Sequence, residues 1–406
     1  MMKTRVNFRP TTRRRGILIG VLFLLSLLCV LALWKLASET ALGKGDFIGY
    51  WSAIHLLHDG NNPYDPAGMM EIQQTLIHSG LDFVVMAWNP PTLFVFMLPL
   101  AWLPFDAAKA TWFVFNVVVL LSVILMLAYL YIPHGSRIFF VFCLFVILFP
   151  QVLVAIIMGQ VTYLVLLGLV SSMVLMRREQ WFLAGAALIL TTVKPHMAFL
   201  AVPYLLLFMA YRRKWQGWLG LLSATAICLI LLTWFRPVWV KDFLGVFGIA
   251  PVNWATPTIG GVLSFLHLTD SLRYMVVLLL PLAWVLARKQ NTLSLETSVA
   301  LLTVLTVPTT FYGWGYDQSI LLIPIAQIFG WLMNPSHPRI RIAVMAAMLV
   351  SIQINWIQRI NSIGEVYYFW IPLFWAVVFS ILFALNKMSI VTKSTSEPEP
   401  LSLLGD

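Results

Sequence analysis

Residues 181–210 read WFLAGAALILTTVKPHMAFLAVPYLLLFMA, thirty residues in which Lys194 is the one formally charged side chain. Two arginines precede this stretch at 177–178, and an Arg-Arg-Lys run follows it at 212–214. Lys and Arg next to membrane-spanning segments stay on the cytoplasmic side. Both ends of the stretch are therefore predicted to lie in the cytoplasm, and Lys194 at the opposite face, where two short apolar segments meet.

The composition of the whole chain agrees with this membrane assignment. Of its 406 residues, 60% are hydrophobic and only 10% are charged, whereas soluble domains have about 45–50% apolar and about 25% charged residues. The mean hydropathy is +0.88. These values exclude a water-soluble domain and a disordered chain. Apolar segments recur at 16–38, 90–104, 107–131, 137–158, 160–176, 181–193, 195–210, 215–235, 271–287, 295–312, 316–333, 339–357 and 366–386.

The distribution of charge predicts the topology. Six of the 26 Lys and Arg residues lie within residues 1–15, which predicts a cytoplasmic N-terminus. These six residues also account for much of the net charge of +10, so the charge does not indicate nucleic-acid binding. A cytoplasmic C-terminus then requires an even number of crossings. Pro150 interrupts the segment 137–158 and predicts a broken or re-entrant element there.

We therefore expect an all-α polytopic membrane protein with about 12 transmembrane helices. Its parts are a basic cytoplasmic N-terminus (1–15), a single transmembrane domain (16–390) and a polar, disordered cytoplasmic tail (391–406). The three cysteines lie far apart in apolar stretches, so neither a disulfide framework nor a cysteine metal site is expected.

The one large polar segment, residues 39–88, is predicted to form the first outer loop. Two apolar stripes at helical spacing predict two short amphipathic helices on the membrane surface, and Asp65-Pro66 is typical of the start of the second. The first stripe comprises Phe47, Tyr50, Trp51, Ile54 and Leu57, and the second Met69, Ile72 and Leu76.

Asp46 lies where the first predicted span leaves the membrane, within Gly-Lys-Gly-Asp-Phe. One interpretation is a helix N-cap that satisfies backbone amides of the following helix. The other is a general base at the membrane surface that takes a proton from an attacking hydroxyl.

Lys194 also has two interpretations. A lysine in an apolar stretch either extends its ammonium to the interface or marks a functional site, such as one that binds a phosphate. His196 beside it is a polar interface residue or a further ligand, and Arg236 lies in an outer loop where it can meet a phosphate or a lipid headgroup.

The ordered motifs of the chain resemble those of the polyprenol-phosphate-mannose-dependent alpha-mannosyltransferases, integral-membrane enzymes of the GT-C class. The resemblance covers about residues 40–325. It rests on Gly45-Asp46-Phe47, Asn62-Pro63-Tyr64-Asp65, Pro90-Pro91, Gly159-Gln160, Lys194-Pro195 and Tyr316-Asp317. The chain departs from the family at Trp88-Asn89, where tyrosine often precedes the prolines, and at Tyr316-Asp317, where many members have a histidine motif.

The resemblance implies a GT-C-like helical bundle that transfers a sugar, a mannose-like hexose first, from a polyprenyl-phosphate donor to a lipid- or glycan-linked hydroxyl. The reaction would occur at the outer face of a bacterial inner membrane, among membrane lipids, with no metal, cofactor or nucleic acid. The roles implied by the resemblance are Asp46 as the base, Lys194 as the donor-phosphate ligand, and Tyr64 and Asn89 in the sugar pocket. We further expect His196 and Arg236 to bind the donor phosphate, and the sugar and acceptor pocket to include Tyr50, Gln160, Tyr316 and Asp317.

A multi-span lipid transporter or flippase without catalysis is the main alternative. It predicts ionisable residues in mid-span and an internal repeat. Few charges lie in mid-span and no repeat is evident in the sequence.

Overall fold

A computed structural model describes residues 28, 30–40, 43–76, 83–250, 254–268, 270–289, 292–333 and 338–396. Helices make up its regular structure, and the described residues include no strand. The expected all-α class is therefore confirmed. The expected N-terminal segment 1–15, most of the first expected span and residues 397–406 of the expected tail lie outside the described residues. Residues 391–396, expected to be disordered, continue the last helix.

The helices follow one another with short connections. The α-helices are α1 (30–39), α2 (Phe47–His58), α3 (Pro66–Leu76), α4 (Thr92–Met97), α5 (Phe105–Tyr131), α6 (Ile138–Leu148), α7 (Pro150–Ile157), α8 (Thr162–Arg177), α9 (Trp181–Ala187), α10 (Ala201–Tyr211), α11 (Trp215–Phe235), α12 (Trp239–Ile249), α13 (Ile259–Phe265), α14 (Leu280–Arg288), α15 (Leu295–Thr309), α16 (Leu322–Trp331), α17 (Pro338–Ile360) and α18 (Trp370–Ser396). The 3-10 segments are Leu98–Trp102, Leu188–Val193, Pro195–Ala198, Asp270–Leu279, Gly315–Leu321 and Glu365–Phe369.

The described helices do not confirm the expected count of about 12 spans. Four are long and apolar enough to cross a bilayer: α5, α11, α17 and the helical run Glu365–Asn386. The pair α6 and α7 is a fifth candidate, bent by 53° at Pro150, which confirms the break expected there. The other apolar helical runs, counted together with the 3-10 turns that adjoin some of them, have 10–17 residues.

The stretch 181–210 illustrates these interruptions. It forms α9, two 3-10 segments on either side of Lys194, and α10. An eleven-residue helix such as α10 is roughly 16 Å long, about half the thickness of a bilayer core. Lys194 is thus the junction between two short arms, as the sequence predicts.

Close backbone packing holds α9, the first of these two arms, against α11. A Cβ atom on Gly185 of α9 would lie 1.7 Å from the Gly217 carbonyl oxygen of α11. Small residues of this kind allow helices in membranes to approach closely. The far side of α11 exposes large apolar side chains, including Leu222, Ile230 and Trp234, a surface suited to lipid.

The expectation of two surface helices is wrong for α2, which is buried. Its predicted stripe is buried, but so are Ile48, Ala53 and Leu56 on its other faces. A helix that is apolar all round belongs in the interior, and α2 packs there instead of lying on a surface. Helix α3 buries only Met69 and Gln73, in keeping with a one-sided helix, and the Asp65 carboxylate accepts from the amides of Ala67 and Gly68 as an N-cap.

Candidate functional site

Two glycine turns set the position of Asp46. Gly43 and Gly159 have φ values of +75° and +69°, a backbone region that favours glycine. The amide of Gly43 donates to Ile157 O (2.9 Å), and that of Asp46 donates to Met158 O (2.8 Å). A Cβ atom on Gly159 would lie 2.5 Å from the Gly43 carbonyl oxygen. The start of α2 and the turn before α8 are thus joined backbone to backbone.

The Asp46 side chain does not cap α2, although the residue occupies the N-cap position. Its Oδ2 instead accepts a hydrogen bond from Gln160 Nε2. Burial raises the pKa of Asp46 above its ordinary value, while the positive charge of Lys194 and hydrogen bonds from Tyr316 and Gln160 partly oppose that rise. The carboxylate is half-buried. It faces a polar cluster, which favours the general-base interpretation over the N-cap. Besides Asp46, the cluster comprises Tyr50, Gln160, Thr162, Lys194, His196, Tyr316 and Asp317.

Lys194 lies at the centre of that cluster. Its Nζ donates to Gln160 Oε1 (2.8 Å) and to Asp317 Oδ1 (2.7 Å), and it lies 4.8 Å from the ring centre of Tyr316. The residue is only 6% exposed, so its ammonium does not extend to a polar surface. The interpretation of Lys194 as an interface lysine therefore does not fit the structure.

Asp317 is the counter-ion of Lys194. Its Oδ1 also accepts from Thr162 Oγ1 (3.0 Å), and its Oδ2 accepts from the backbone amide of Trp314 (3.0 Å), which starts the 3-10 segment Gly315–Leu321. Three donors thus occupy a buried carboxylate. Because it is fully engaged, Asp317 is a weaker candidate for a base than Asp46. Thr162 was missed in the sequence, where its place two residues after Gln160 was the one available signal.

Four of the remaining predicted residues divide into two groups. Tyr50 donates to Gln160 Oε1 (3.2 Å), and His196 Nε2 lies 3.8 Å from Asp317 Oδ2, so both belong to the cluster. Tyr64 donates to Asn89 O (2.8 Å), and Asn89 Nδ2 donates to Val193 O (2.9 Å), directly before Lys194. Tyr64 and Asn89 are therefore linked to the cluster by hydrogen bonds to backbone carbonyl oxygens.

Arg236 has contacts of a different kind. Its guanidinium pairs with Asp242 (Nε to Oδ2, 2.6 Å) and donates to the carbonyl of Gly60 (2.7 Å). These contacts tie α12 to the turn after α2. A role for Arg236 in binding phosphate stays a prediction.

A cavity of about 470 Å³ opens beside the cluster. His196 lines it, as does the buried Arg273, and most of the remaining wall is apolar. Its aromatic side chains are Trp88, Phe243, Phe247, Trp254, Tyr274, Phe311 and Tyr312. Large apolar cavities with a few polar groups are typical of ligand sites.

The family model of glycosyltransferase family 87 matches residues 88–309. The chain belongs to this family. No curated protein and no solved structure matches it. Membership, with the long apolar helices, confirms the predicted class of membrane glycosyltransferase, whereas the narrower polyprenol-phosphate-mannose family is not confirmed.

The region matched to glycosyltransferase family 87 contains Asn89, Gln160, Lys194 and His196. Asp46 precedes it, and Asp317 follows it. The cluster thus combines residues from the matched region with residues from both flanks. Within the described part of the chain, no three His, Cys, Asp or Glu side chains are grouped as metal ligands would be, and the independence of the reaction from metals remains a prediction.

Proposed function

We propose that this family 87 glycosyltransferase moves a sugar from a polyprenyl-phosphate donor to a hydroxyl of a lipid- or glycan-linked acceptor. We further propose that the reaction takes place at the outer face of a bacterial inner membrane. The observation that carries the proposal is the contact of a half-buried carboxylate, Asp46, and a buried ammonium, Lys194, with the same amide side chain, Gln160.

In the proposed reaction, Asp46 accepts the proton of the acceptor hydroxyl as its oxygen attacks the anomeric carbon. A new carbon–oxygen bond forms while the bond from the sugar to the donor phosphate breaks, and that electron pair goes to the phosphate oxygen. Lys194 stabilises the growing charge on the leaving phosphate. The raised pKa of Asp46 suits a base, because a carboxylate of higher pKa is a better proton acceptor.

The cavity supports a donor with an apolar chain. It borders His196, two residues from Lys194, and aromatic side chains line it. A prenyl chain attached to a phosphate near Lys194 would find apolar surface there. A nucleotide sugar would instead place a charged diphosphate and a ribose against this largely apolar wall.

A donor panel tests the proposal. Purified wild-type protein is incubated with polyprenyl-phosphate sugars, mannose first, and separately with nucleotide sugars, and release of polyprenyl phosphate is measured. Turnover is expected only with the prenyl-linked donors. Turnover with nucleotide sugars alone would overturn the choice of donor while leaving family membership intact.

A further inference from the structure

We propose that Gln160 is a positioning residue that orients the Asp46 carboxylate and keeps the Lys194 ammonium one side chain away from it. This role differs from the sugar-pocket role expected from the sequence. Its activity readout rests on the proposed function. Gln160 is 1% exposed and lies in the turn between α7 and α8.

The neighbours of Gln160 leave its amide one orientation. Lys194 Nζ is only a donor, and it lies 2.8 Å from Oε1. The Tyr50 hydroxyl donates to the same oxygen (3.2 Å). Oε1 therefore faces these two donors, and Nε2 points to Asp46 Oδ2, an acceptor. A flipped amide would place its NH2 group against the ammonium and its oxygen against the carboxylate.

The separation of Asp46 from Lys194 by the Gln160 side chain has a chemical consequence. A carboxylate in direct contact with an ammonium is held in its charged form and becomes a weaker base. In this cluster Asp317 takes the direct contact with Lys194 at 2.7 Å, and Gln160 lies between Lys194 and Asp46. Asp46 can then accept a proton while Lys194 keeps its charge for the donor phosphate.

Two substitutions separate the functions of the amide. Gln160→Met removes both its donor and its acceptor at similar size. Gln160→Glu keeps an acceptor for Lys194 and Tyr50 but replaces the donor that faces Asp46. Gln151→Met is the matched control, because Gln151 is also fully buried and its hydrogen bonds go to Gln318 and Asn355.

The decisive readout is the acid limb of the pH–rate profile. The charged and titratable groups that face Asp46 are Lys194, Asp317, Tyr316 and Tyr50. Methionine and glutamate fill about the space of glutamine, so Lys194 stays one side chain away from Asp46 in both variants. Each variant loses the hydrogen bond from Gln160 that stabilises the charged carboxylate, so the acid limb should move to higher pH. Their kcat should fall about tenfold or more, because hydrogen bonds to charged groups are the stronger class. The control should keep the wild-type acid limb.

A second measurement does not need turnover. Infrared titration of the protonated carboxyl band, assigned by its loss in Asp46→Asn, follows Asp46 directly in folded protein. The midpoint should rise in both Gln160 variants. An unchanged midpoint in folded Gln160→Met would overturn the role of Gln160, whereas absence of wild-type turnover with a shifted midpoint would count only against the proposed donor.

Discussion

The Lys194 ammonium and the Asp317 carboxylate form a buried ion pair of 2.7 Å between residues 123 positions apart. The pair joins the junction of the two short arms to the 3-10 segment that precedes α16. Lys194 is therefore neutralised within the protein but retains protons that can be directed to a phosphate. The same contact leaves Asp46 without a direct salt bridge to Lys194 among the described ion pairs.

Loss of either partner should destabilise the protein. Lys194→Met leaves a buried carboxylate unpaired, and Asp317→Asn leaves a buried ammonium unpaired, each at a cost of about 3–5 kcal/mol. The double variant should lose less than the sum of the two single variants, as measured by unfolding in detergent. Lys35 and Glu39 provide the control, since this exposed pair at 4.0 Å should contribute about 0–1 kcal/mol. Additive losses at Lys194 and Asp317 would contradict the coupling.

Asp46→Asn should lower sugar transfer by about 10²- to 10⁴-fold, the usual contribution of general acid–base catalysis. The amide is close in size to the carboxylate but cannot accept the proton. Expression and membrane insertion should not change. Asp65→Asn is the control, because Asp65 caps α3 in the same segment and asparagine is an equally good cap. Full transfer by purified Asp46→Asn would rule out Asp46 as the base.

Glu365 should support the site from the C-terminal part of the chain. Its Oε2 accepts from the amide of Gly315 (2.7 Å), two residues before Asp317, and its Oε1 pairs with Arg359 (2.7 Å). Glu365→Ala removes both contacts, so we expect a KM for the donor about tenfold higher, in line with the loss of a charged hydrogen bond. Glu365→Gln keeps an acceptor for Gly315 and should restore part of the loss. Equal defects in both variants would argue against this positioning role.

Gly159→Ala should disturb the site through the backbone. Alanine is strained at a φ of +69°, at a cost of about 1–2 kcal/mol, and its Cβ would also meet the Gly43 carbonyl oxygen. Gly135→Ala carries similar strain at a φ of +72°, but its Cβ would have no other atom within 4 Å. We expect Gly135→Ala to lose stability only, and Gly159→Ala to lose more stability and most of its activity. Unfolding and sugar transfer are measured for both variants, and the difference between them gives the effect of the contact with the Gly43 carbonyl oxygen. Equal losses in the two variants would show that this contact has no effect.

Several features could be predicted because they depend on local sequence. Helical class follows from composition and periodicity, the N-cap at Asp65 follows from Asp-Pro, and the break in 137–158 follows from Pro150. The span count could not be predicted in the same way. Apolar composition alone does not distinguish a helix that crosses a bilayer from a short interior helix such as α2 or α10.

The sequence by itself determined that this chain is a helical membrane protein, and it singled out Lys194 as a cation in an apolar stretch. Hydrophobic composition and an isolated charge are visible without knowledge of the fold. Only the tertiary structure decided that Asp46 contacts Gln160 and that Asp317 pairs with Lys194. These contacts join segments more than a hundred residues apart, and packing between glycine turns and short helices brings them together.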